Sequence, residues 1–290
     1  MKGLKSSTIS FEFFPPKTSE GSDRLAQSVK ELSVYQPEFY SVTYGAGGST
    51  RDGTLSTVNM VRDITAADVA PHITCIGSTI DEILEIITKY RQQGVKRLVA
   101  LRGDLPSGMG NVGELKYASE LVTLIRHETG NQFIIEVAAY PECHPQAKNM
   151  QDDILNLKRK YEAGANRAIT QFFFNSDAYF YLLEDCARHG ISMDVVPGIM
   201  PVTQFHRLAN FADTCGAEIP RWLRKRLEHF GDDVESIQAF GQDFITELCA
   251  KLIEGGAPGL HFYTLNKSHP TVQLLKGLGV QVKSKAPLES

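Results

Sequence analysis

The feature that most constrains this chain is a regular alternation of short apolar segments with longer amphipathic ones. Eight segments rich in β-branched and aromatic residues are predicted to be strands: Thr8–Phe14, Phe39–Tyr44, His72–Ile76, Arg97–Leu101, Phe133–Tyr140, Arg167–Phe174, Met193–Ile199 and Leu260–Leu265. Between them the apolar residues recur with helical spacing, as in Asp81–Gln93, Gly113–Glu128 and Asp152–Ala163. Several strands lack apolar and polar alternation, which is typical of parallel sheets covered on both faces. The pattern therefore predicts an α/β protein, a (β/α)8 TIM barrel.

The main alternative is a doubly wound sheet, because it is built from the same alternating elements. Both architectures place ligands at the carboxyl ends of the strands. The interval Pro201–Gly259 is longer than the others and holds three helical patterns, Thr203–Asp213, Ile219–His229 and Asp233–Glu254. We therefore expect extra helices between strands 7 and 8, and a short helix after Leu265. With 290 residues and no linker rich in proline or serine, residues 1–290 are interpreted as one barrel domain.

Composition argues against several classes of protein. The chain has 30 Lys+Arg, 34 Asp+Glu, a net charge of −4 and 42% hydrophobic residues, which disfavours a disordered chain, a fibrous repeat or a nucleic-acid-coating surface. No apolar run approaches the roughly 18 residues of a membrane span, and residues 1–10 lack the apolar region of a signal peptide. The five cysteines contain no C-x-x-C pair, so neither a disulfide framework nor a zinc ribbon is expected. We expect a cytoplasmic protein with reduced thiols.

Glu12 is the first candidate for chemistry, because it lies between Phe11 and Phe13 within an apolar strand. If the strand is covered on both faces, burial raises the pKa of the carboxyl group and keeps a proton available for general acid catalysis. The competing interpretation is an exposed edge strand with Glu12 in water.

The fourth predicted strand ends in Arg102-Gly103-Asp104, which places a guanidinium and a carboxylate on either side of a glycine. This pair suits a ligand that carries charge and hydrogen-bond donors, although the two side chains could also pair with each other. The segment Gly108–Gly113 matches G-x-G-x-x-G by letter. It follows Pro106 in a loop and does not lead from a strand into a helix, so we interpret it as a loop and not as a dinucleotide site.

Other polar residues lie near predicted strand ends. His72 and His144 come from separate strands without metal-binding spacing, so metal ligation is not expected. The basic run Lys158–Lys160 is either a solvated helix face or, in a barrel, a set of cations directed at a diphosphate. Gln171 lies next to three phenylalanines, and a buried amide there needs partners that the edge of a heterocycle could supply.

A family resemblance is carried by a series of strings in a fixed order: SFEFFPP, SVTYGAGG, PHITC, ALRGD, AAYPECHP, LNLKRK, ANRAITQFFF, PGIMPV and HFYTLN. They extend from Ser10 to Lys267 and resemble methylenetetrahydrofolate reductase of the short bacterial type. The resemblance implies a (β/α)8 flavoprotein that uses FAD to pass a hydride from NADH, or from NADPH in some members, to methylenetetrahydrofolate. It further implies methionine biosynthesis, a homo-oligomer (tetramer or dimer), and no S-adenosylmethionine-binding regulatory domain after the barrel.

The resemblance also implies residue roles. Glu12 is the implied general acid, and Asp104 lies between flavin and folate. Residues implied to hold FAD are Thr43, His72, Arg102, Gly103, Asp104, Ala118, Tyr140, His144, Ala147, Asp153, Asn156, Arg159 and Lys160. Residues implied to bind substrate are Glu12, Asp104, Gln171, Arg207, Phe211, Tyr263 and Lys267. Phe211 is expected to stack on nicotinamide and folate in turn, which implies ping-pong kinetics.

Two positions depart from the family pattern. Arg207 stands where bacterial members usually have Gln, and Lys267 where Arg is common, so substrate affinity and nucleotide preference stay open. The residues alone also allow a flavin-free barrel lyase or transferase acting on a phosphorylated metabolite, with Arg102 as the phosphate anchor. A third possibility is a flavin- or folate-binding scaffold whose carboxylates pair only structurally.

Overall fold

The computed structural model describes residues 9–44, 51–104 and 113–282, except for the side chains of residues 51 and 52. Its strands are β1 Ile9–Phe13, β2 Phe39–Val42, β3 Asp68–Thr74, β4 Arg97–Leu101, β5 Ile134–Ala139, β6 Arg167–Thr170, β7 Asp194–Val196, β8 Gly198–Ile199 and β9 Leu260–Tyr263. Its helices are α1 Ser19–Ser33, α2 Arg51–Ile64, α3 Ile80–Gln92, α4 Ala118–Thr129, α5 Met150–Glu162, α6 Ser176–Arg188, α7 Phe205–Cys215, α8 Arg221–His229, α9 Val234–Glu254 and α10 Ser268–Gly277. Strands and helices alternate up to β7, as the sequence pattern predicts.

The sheet closes on itself through parallel pairs. β1 pairs with β2 on one side and with β9 on the other, and β8 also pairs with β9. β7 and β8 are the two halves of the seventh predicted strand, and Pro197 separates them. Proline has no N–H for the ladder, but its carbonyl accepts a hydrogen bond from the backbone N–H of His261 at 3.0 Å. The predicted (β/α)8 barrel is confirmed, and the doubly wound sheet, which would leave two open edges, is excluded.

The long interval before the last strand contains extra helices, as predicted. Helices α7, α8 and α9 all lie between β8 and β9, and α10 follows β9. The longest of them, α9, has 21 residues and carries charged side chains along its length. In the part of the chain that the structure describes, no helix has the length and apolar character needed to cross a membrane.

Side-chain caps determine where helices α3 and α4 begin. Thr79 and Glu82 form a reciprocal capping box at the start of α3, with hydrogen bonds of 3.2 and 3.0 Å. The Glu120 carboxylate accepts hydrogen bonds from the N–H groups of Lys116 and Tyr117 at 2.6 and 3.1 Å, and this fixes the start of α4 at Ala118. Our expectation that this helix begins at Gly113 is therefore wrong.

The barrel has two apolar regions. A large core lies between the strands and the surrounding helices, and it includes Phe11, Tyr40 and Phe262. A smaller cluster of Phe39, Ala70, Val99 and Ile169 fills the barrel interior. Because successive residues of a strand face opposite sides, Ser10 and Glu12 face the interior while Phe11 and Phe13 face the helices.

The amino-terminal end of the barrel interior holds a charged cluster. Arg97 donates hydrogen bonds to Glu136 and, at 2.7 Å, to Glu38, and Arg167 donates to Glu38 at 2.8 Å. The Arg97 guanidinium also lies 4.4 Å from the centre of the Phe39 ring. Arg97 is 4% exposed and Glu136 is 0% exposed, so these charges depend on each other for compensation. This end of a barrel generally serves stability, whereas the opposite end carries function.

Candidate active site

Glu12 lies near the carboxyl end of β1 and faces a group of polar side chains inside the barrel. His72 of β3 approaches Glu12 Oε2 with its Nε2 at 3.3 Å, and His261 of β9 approaches the same oxygen at 3.6 Å. Ser41 of β2 donates a hydrogen bond to that oxygen at 3.4 Å. Three neighbouring strands thus direct polar groups at one carboxylate, and the interpretation of β1 as an exposed edge strand is excluded.

The charge of Glu12 is set by the two histidines. Burial raises the pKa of the Glu12 carboxyl, but the contacts with His261 and His72 outweigh it and lower that pKa to about 2. The carboxyl is therefore ionised at neutral pH. Our expectation that burial raises the pKa of Glu12 and keeps a proton on it is wrong, because the sequence pattern does not show that two imidazoles lie beside the carboxyl.

The loop after β9 is fastened to the end of β1. Thr264 Oγ1 donates to the carbonyl of Glu12 at 2.6 Å. The Asn266 side chain accepts from the backbone N–H of Phe14 at 2.9 Å and donates to its carbonyl at 2.8 Å. Leu265 and Asn266 both have left-handed backbone conformations, with φ of 51° and 59°. These contacts hold the backbone around Glu12 in a fixed position.

Tyr263 crosses the carboxyl end of the barrel above Glu12. Its hydroxyl donates to the carbonyl of Thr170 at 2.7 Å, and Glu12 and Tyr263 are paired positions in the β1–β9 ladder. A Cβ at Gly198 would lie 2.6 Å from the Tyr263 ring, so only glycine fits under the tyrosine. Gln171 follows Thr170 and accepts a hydrogen bond from the N–H of Phe172 with its side-chain oxygen at 3.0 Å. This leaves the Gln171 amide NH2 as a donor.

The loop after β5, residues 140–149, brings several predicted cofactor residues together. The rings of Tyr140 and His144 meet edge to face at 4.5 Å, and Asp153 accepts a hydrogen bond from the N–H of His144 at 2.8 Å. Ala147 donates its N–H to the carbonyl of His144 at 2.9 Å. Nδ1 of His144 accepts from the N–H of Gln146 at 3.0 Å, so the ring proton lies on Nε2, which can donate. Burial lowers the pKa of His144, which favours this neutral form.

Helix α5 supplies the basic residues. Lys160 Nζ donates to the carbonyl of Ala138 at 2.5 Å, and burial lowers its pKa to about 8 while Asp153 opposes that shift. Arg159 is exposed and donates to the side chain of Asn156 at 2.6 Å. Lys160 is thus turned toward the strand end and is not part of a solvated face, whereas Arg159 remains at the surface.

The end of β4 lies beside this loop. Arg102 donates to the side chain of Gln146 and, at 3.3 Å, to the carbonyl of Gly103. Gly103 has φ of +87° and packs against Thr74, where a Cβ would lie 3.0 Å from Thr74 Cβ. Asp104 is exposed; burial raises the pKa of Tyr140 and of Cys215, and the charge of Asp104 adds to both shifts. Among the described ion pairs there is none between Arg102 and Asp104, and the partners of Arg102 are Gln146 and Gly103.

Three further residues predicted to bind cofactor or substrate lie at the ends of strands or helices. Thr43 follows β2 and donates its N–H to the carbonyl of Phe13 at 2.9 Å. Ala118 is the first residue of α4, and Lys267 is the exposed N-cap of α10. Of the predicted loop Gly108–Gly113, residues 108–112 lie outside the described residues.

Helix α7 carries an exposed aromatic residue toward the site. Phe211 is 44% exposed, and its ring stacks on Phe172 at 5.5 Å with an interplanar angle of 10°. Phe172 is itself buried just after β6. One face of the Phe211 ring therefore packs on a buried side chain, and the other face is open to a ligand. Arg207 lies one turn earlier on α7 and is exposed.

The structure therefore brings Glu12, His72 and Tyr263 into one group, and Tyr140, His144, Asp153 and Lys160 into another. Sequence reasoning missed Ser10, Ser41 and His261, which complete the first group. Their signal was present in the alternation of β1 and β9, where Ser10 shares a face with Glu12 and His261 shares one with Tyr263. No group of three or more His, Cys, Asp or Glu side chains within the described ranges could hold a metal ion.

The fold and these side chains define a class of protein: a parallel α/β barrel with a carboxylate–imidazole cluster at the carboxyl ends of its strands and basic side chains on the helix that follows β5. Residues 2–279 match the family described as Methylenetetrahydrofolate reductase, and the chain belongs to that family. The family predicted from the sequence strings is confirmed.

Curated relatives agree with this family. The 5,10-methylenetetrahydrofolate reductase of Escherichia coli K12 is 44% identical over 273 residues, which cover 94% of this chain and 91% of that protein. The protein of the same name from Buchnera aphidicola subsp. Acyrthosiphon pisum is 41% identical over 271 residues, covering 93% and 91%. Methylenetetrahydrofolate reductase (NADH) 1 of Arabidopsis thaliana is 36% identical over 290 residues, covering 96% of this chain and 49% of that protein.

A solved structure also resembles the fold. It is an uncharacterized protein from Clostridium thermocellum that binds two copies of 5-methyl-5,6,7,8-tetrahydrofolic acid. It matches with a TM-score of 0.65 and 19% identity, covering 95% of this chain and 94% of that chain. At this identity the similarity supports the fold alone.

Proposed function

We propose that this protein reduces methylenetetrahydrofolate to methyltetrahydrofolate, with FAD as cofactor and NADH or NADPH as electron donor. The observation that carries the proposal is the buried Glu12 carboxylate, held between His72 and His261 at the carboxyl end of β1. Family membership indicates the reaction, and this cluster gives the chain an acid–base group where a barrel places its substrate.

The residues of the loop after β5 and of α5 fit a flavin dinucleotide. Lys160 and Arg159 offer positive charge for a diphosphate, and His144 offers an Nε2 proton. The same part of the cofactor would be supported by Asn156, Asp153, Tyr140 and Ala147. The flavin ring would be held by Thr43, His72, Arg102, Gly103 and Asp104, and the adenosine would lie near Ala118. When bound, FAD supplies the ability to accept a hydride from the nicotinamide and to pass it to the folate.

Proton delivery to the folate is assigned to the Glu12 cluster. The five-membered ring of methylenetetrahydrofolate must open to an electrophilic iminium, and a proton on the departing nitrogen assists that step. Because Glu12 is ionised at neutral pH, the proton must first be held elsewhere. His72 and His261 lie 3.3 and 3.6 Å from the carboxylate, and an imidazole ring can both accept and donate a proton. Glu12 then transfers the proton from an imidazole to the folate.

One surface is proposed to receive both substrates in turn. Phe211 offers a single open aromatic face, backed by Phe172, and both nicotinamide and pterin are planar rings that stack on such a face. Gln171 would hydrogen-bond the pterin, and Arg207, Tyr263 and Lys267 would contact the remainder of the substrate. Successive occupation of one place leads to ping-pong kinetics.

The visible spectrum of the purified protein tests the proposal. The expected protein is yellow, releases free FAD on heating or acid treatment, and is bleached by NADH or NADPH without oxygen. Methylenetetrahydrofolate should then restore the colour and yield methyltetrahydrofolate. A colourless protein that takes up no added FAD would reject the proposal, and it is also the result expected of a flavin-free lyase or transferase.

The last part of the proposal concerns the location, the domain organisation and the oligomeric state of the protein. We place the protein in the cytoplasm as a single barrel domain over residues 1–290, assembled into a dimer or tetramer and supplying methyl groups for methionine synthesis. Light scattering of the purified protein measures the assembly, and limited proteolysis measures the domain.

A further inference from the structure

The loop after β5 is joined to the turn between α7 and α8, residues 216–220. Glu142 accepts a hydrogen bond from the backbone N–H of Glu218, with 2.7 Å between Oε2 and N. The two residues are 76 positions apart, so this contact connects two separate βα crossovers. The donor, the backbone N–H of Glu218, lies in the turn between the end of α7 and the start of α8.

A second contact lies beside the first. Gly216 ends α7 in a left-handed conformation with φ of +72°, and a Cβ there would lie 2.7 Å from Pro145 Cγ and 3.5 Å from the carbonyl oxygen of Cys143. Cys143 itself has φ of +100°, a conformation that costs energy for a residue other than glycine. The contacts that hold the loop after β5 in this strained conformation include its packing against the end of α7.

The two sides of this contact carry different parts of the site. The loop after β5 bears Tyr140, His144 and Ala147, which we assign to the cofactor. Helix α7 bears Phe211, which lies five residues before Gly216 and which we assign to both substrates. The distance between cofactor and stacking residue therefore depends on how the last turn of α7 is fixed.

The Glu142 carboxyl lies in an environment that disfavours its charged form. Burial and the charge of Glu218 raise its pKa to about 7, while the hydrogen bond from Glu218 N–H opposes that shift. A fully exposed glutamate would avoid the free-energy cost of burying a carboxylate, but it would not reach the backbone N–H of Glu218.

We infer that Glu142 is a positioning residue whose side-chain oxygen fixes the end of α7 on the cofactor loop and thereby sets the place of Phe211. This inference rests on the proposed function for its kinetic readout. The loop keeps its own contacts among His144, Asp153 and Ala147, so loss of the Glu142 acceptor should free α7 and leave cofactor binding intact. α7 keeps its buried residues Phe205, Leu208 and Ala212, so the fold should be retained.

The test compares Glu142→Ala with two matched controls. Glu142→Gln keeps a carbonyl acceptor without the charge, and Glu218→Ala keeps the N–H donor without the second carboxylate. In Glu142→Ala, the KM values for NADH and methylenetetrahydrofolate should both rise about fivefold, which corresponds to the roughly 1 kcal/mol that one hydrogen bond typically contributes. FAD content should be unchanged, and both controls should stay within about twofold of wild type.

Hydrogen exchange gives a readout that does not depend on activity. The amide of Glu218 should be protected in the wild type and in both controls, and should exchange faster in Glu142→Ala. If Glu142→Ala does not fold, Gly216→Ala can be used to disrupt the same contact from the side of α7. It should raise the KM values for NADH and methylenetetrahydrofolate as well. The inference is overturned by unchanged amide protection, by loss of FAD with unchanged KM values, or by Glu142→Gln behaving like Glu142→Ala. Absence of reductase activity in the wild-type protein would instead overturn the proposed function. In that case hydrogen exchange at the Glu218 amide would still test the contact between Glu142 and Glu218.

Discussion

Ser10 and His261 stand 251 positions apart in the sequence, yet the serine Oγ and the histidine Nδ1 lie 2.7 Å apart inside the barrel. This contact and the stacking of His261 on Phe39 at 5.9 Å fix the imidazole ring. Its other nitrogen, Nε2, is thereby held 3.6 Å from Glu12. The orientation of the candidate acid–base group thus depends on the pairing of the first strand with the last.

We expect His261→Gln to slow the folate half-reaction and to raise the pKa of Glu12. The imidazole is one of the two contacts that lower this pKa to about 2, so its loss shifts the titration upward. We expect the folate half-reaction to slow about tenfold to a hundredfold and flavin reduction by NADH to be unchanged. Rapid-mixing absorbance of each half-reaction over a pH series measures both. A folate rate within twofold of wild type at every pH would remove His261 from proton delivery, and Ser10→Ala serves as the milder control.

Glu12→Gln should separate the two half-reactions. The amide keeps the size of the side chain but cannot pass a proton, and only the folate half-reaction needs one. The variant should be yellow and be bleached by NADH, and its reoxidation by methylenetetrahydrofolate should slow by about 10²–10⁴-fold. Single-turnover mixing checks this, and near wild-type reoxidation would assign the proton donor to another residue.

Asp104→Asn should affect both half-reactions. Asp104 is exposed at the end of β4, and its charge already acts on Tyr140, which we place at the cofactor. Removal of a charge near the place that both substrates approach alters the electrostatics of each transfer. Flavin reduction and folate turnover should therefore both change in rate. If only one of them changes, Asp104 does not lie between cofactor and substrate.

Phe211→Leu should weaken both substrates together. The change removes the stack on Phe172 and the aromatic face open to a planar ligand, at a cost of about 0.5–1.5 kcal/mol for each lost ring pair. KM should rise about threefold to tenfold for NADH and for methylenetetrahydrofolate, and the kinetics should remain ping-pong. Loss of folate turnover with NADH oxidation untouched would mean that the substrates do not share this surface.

The fold was predictable because each βα unit carries its own local pattern, but strand limits depended on tertiary contacts. β3 runs from Asp68 to Thr74, so it begins four residues before the predicted start at His72. In the structure Pro71 is a paired position of the ladder opposite Val42. β6 ends at Thr170 and not at Phe174, because the phenylalanines after it are buried as core residues outside the strand.

The site was predictable only in part. Glu12 was recognisable as a single charge in an apolar strand, and its assigned position is supported by the cluster around it. His261 and Ser10 were not, because their contact requires that β1 and β9 be neighbours, and this follows only from barrel closure. The direction of the Glu12 pKa shift was wrong for the same reason, since burial is visible in the sequence pattern whereas the two imidazoles beside it are not.

The charged cluster at the amino-terminal end should govern stability without affecting catalysis. Glu136 is 0% exposed and is hydrogen-bonded by Arg97, and Arg167 Nε lies 3.6 Å from its other oxygen. Glu136→Gln keeps the shape but leaves Glu38 as the remaining counter-charge of Arg97, and weakening a buried hydrogen bond to a charged group in this way should cost about 1–3 kcal/mol. Urea unfolding should show a lower midpoint with an unchanged slope, while the rates of both half-reactions stay at wild-type values. Because the Arg167 side chain is 22% exposed whereas that of Glu136 is 0% exposed, Arg167→Gln should be the milder variant. Equal stability of wild type and Glu136→Gln would show that Glu38 alone compensates both arginines.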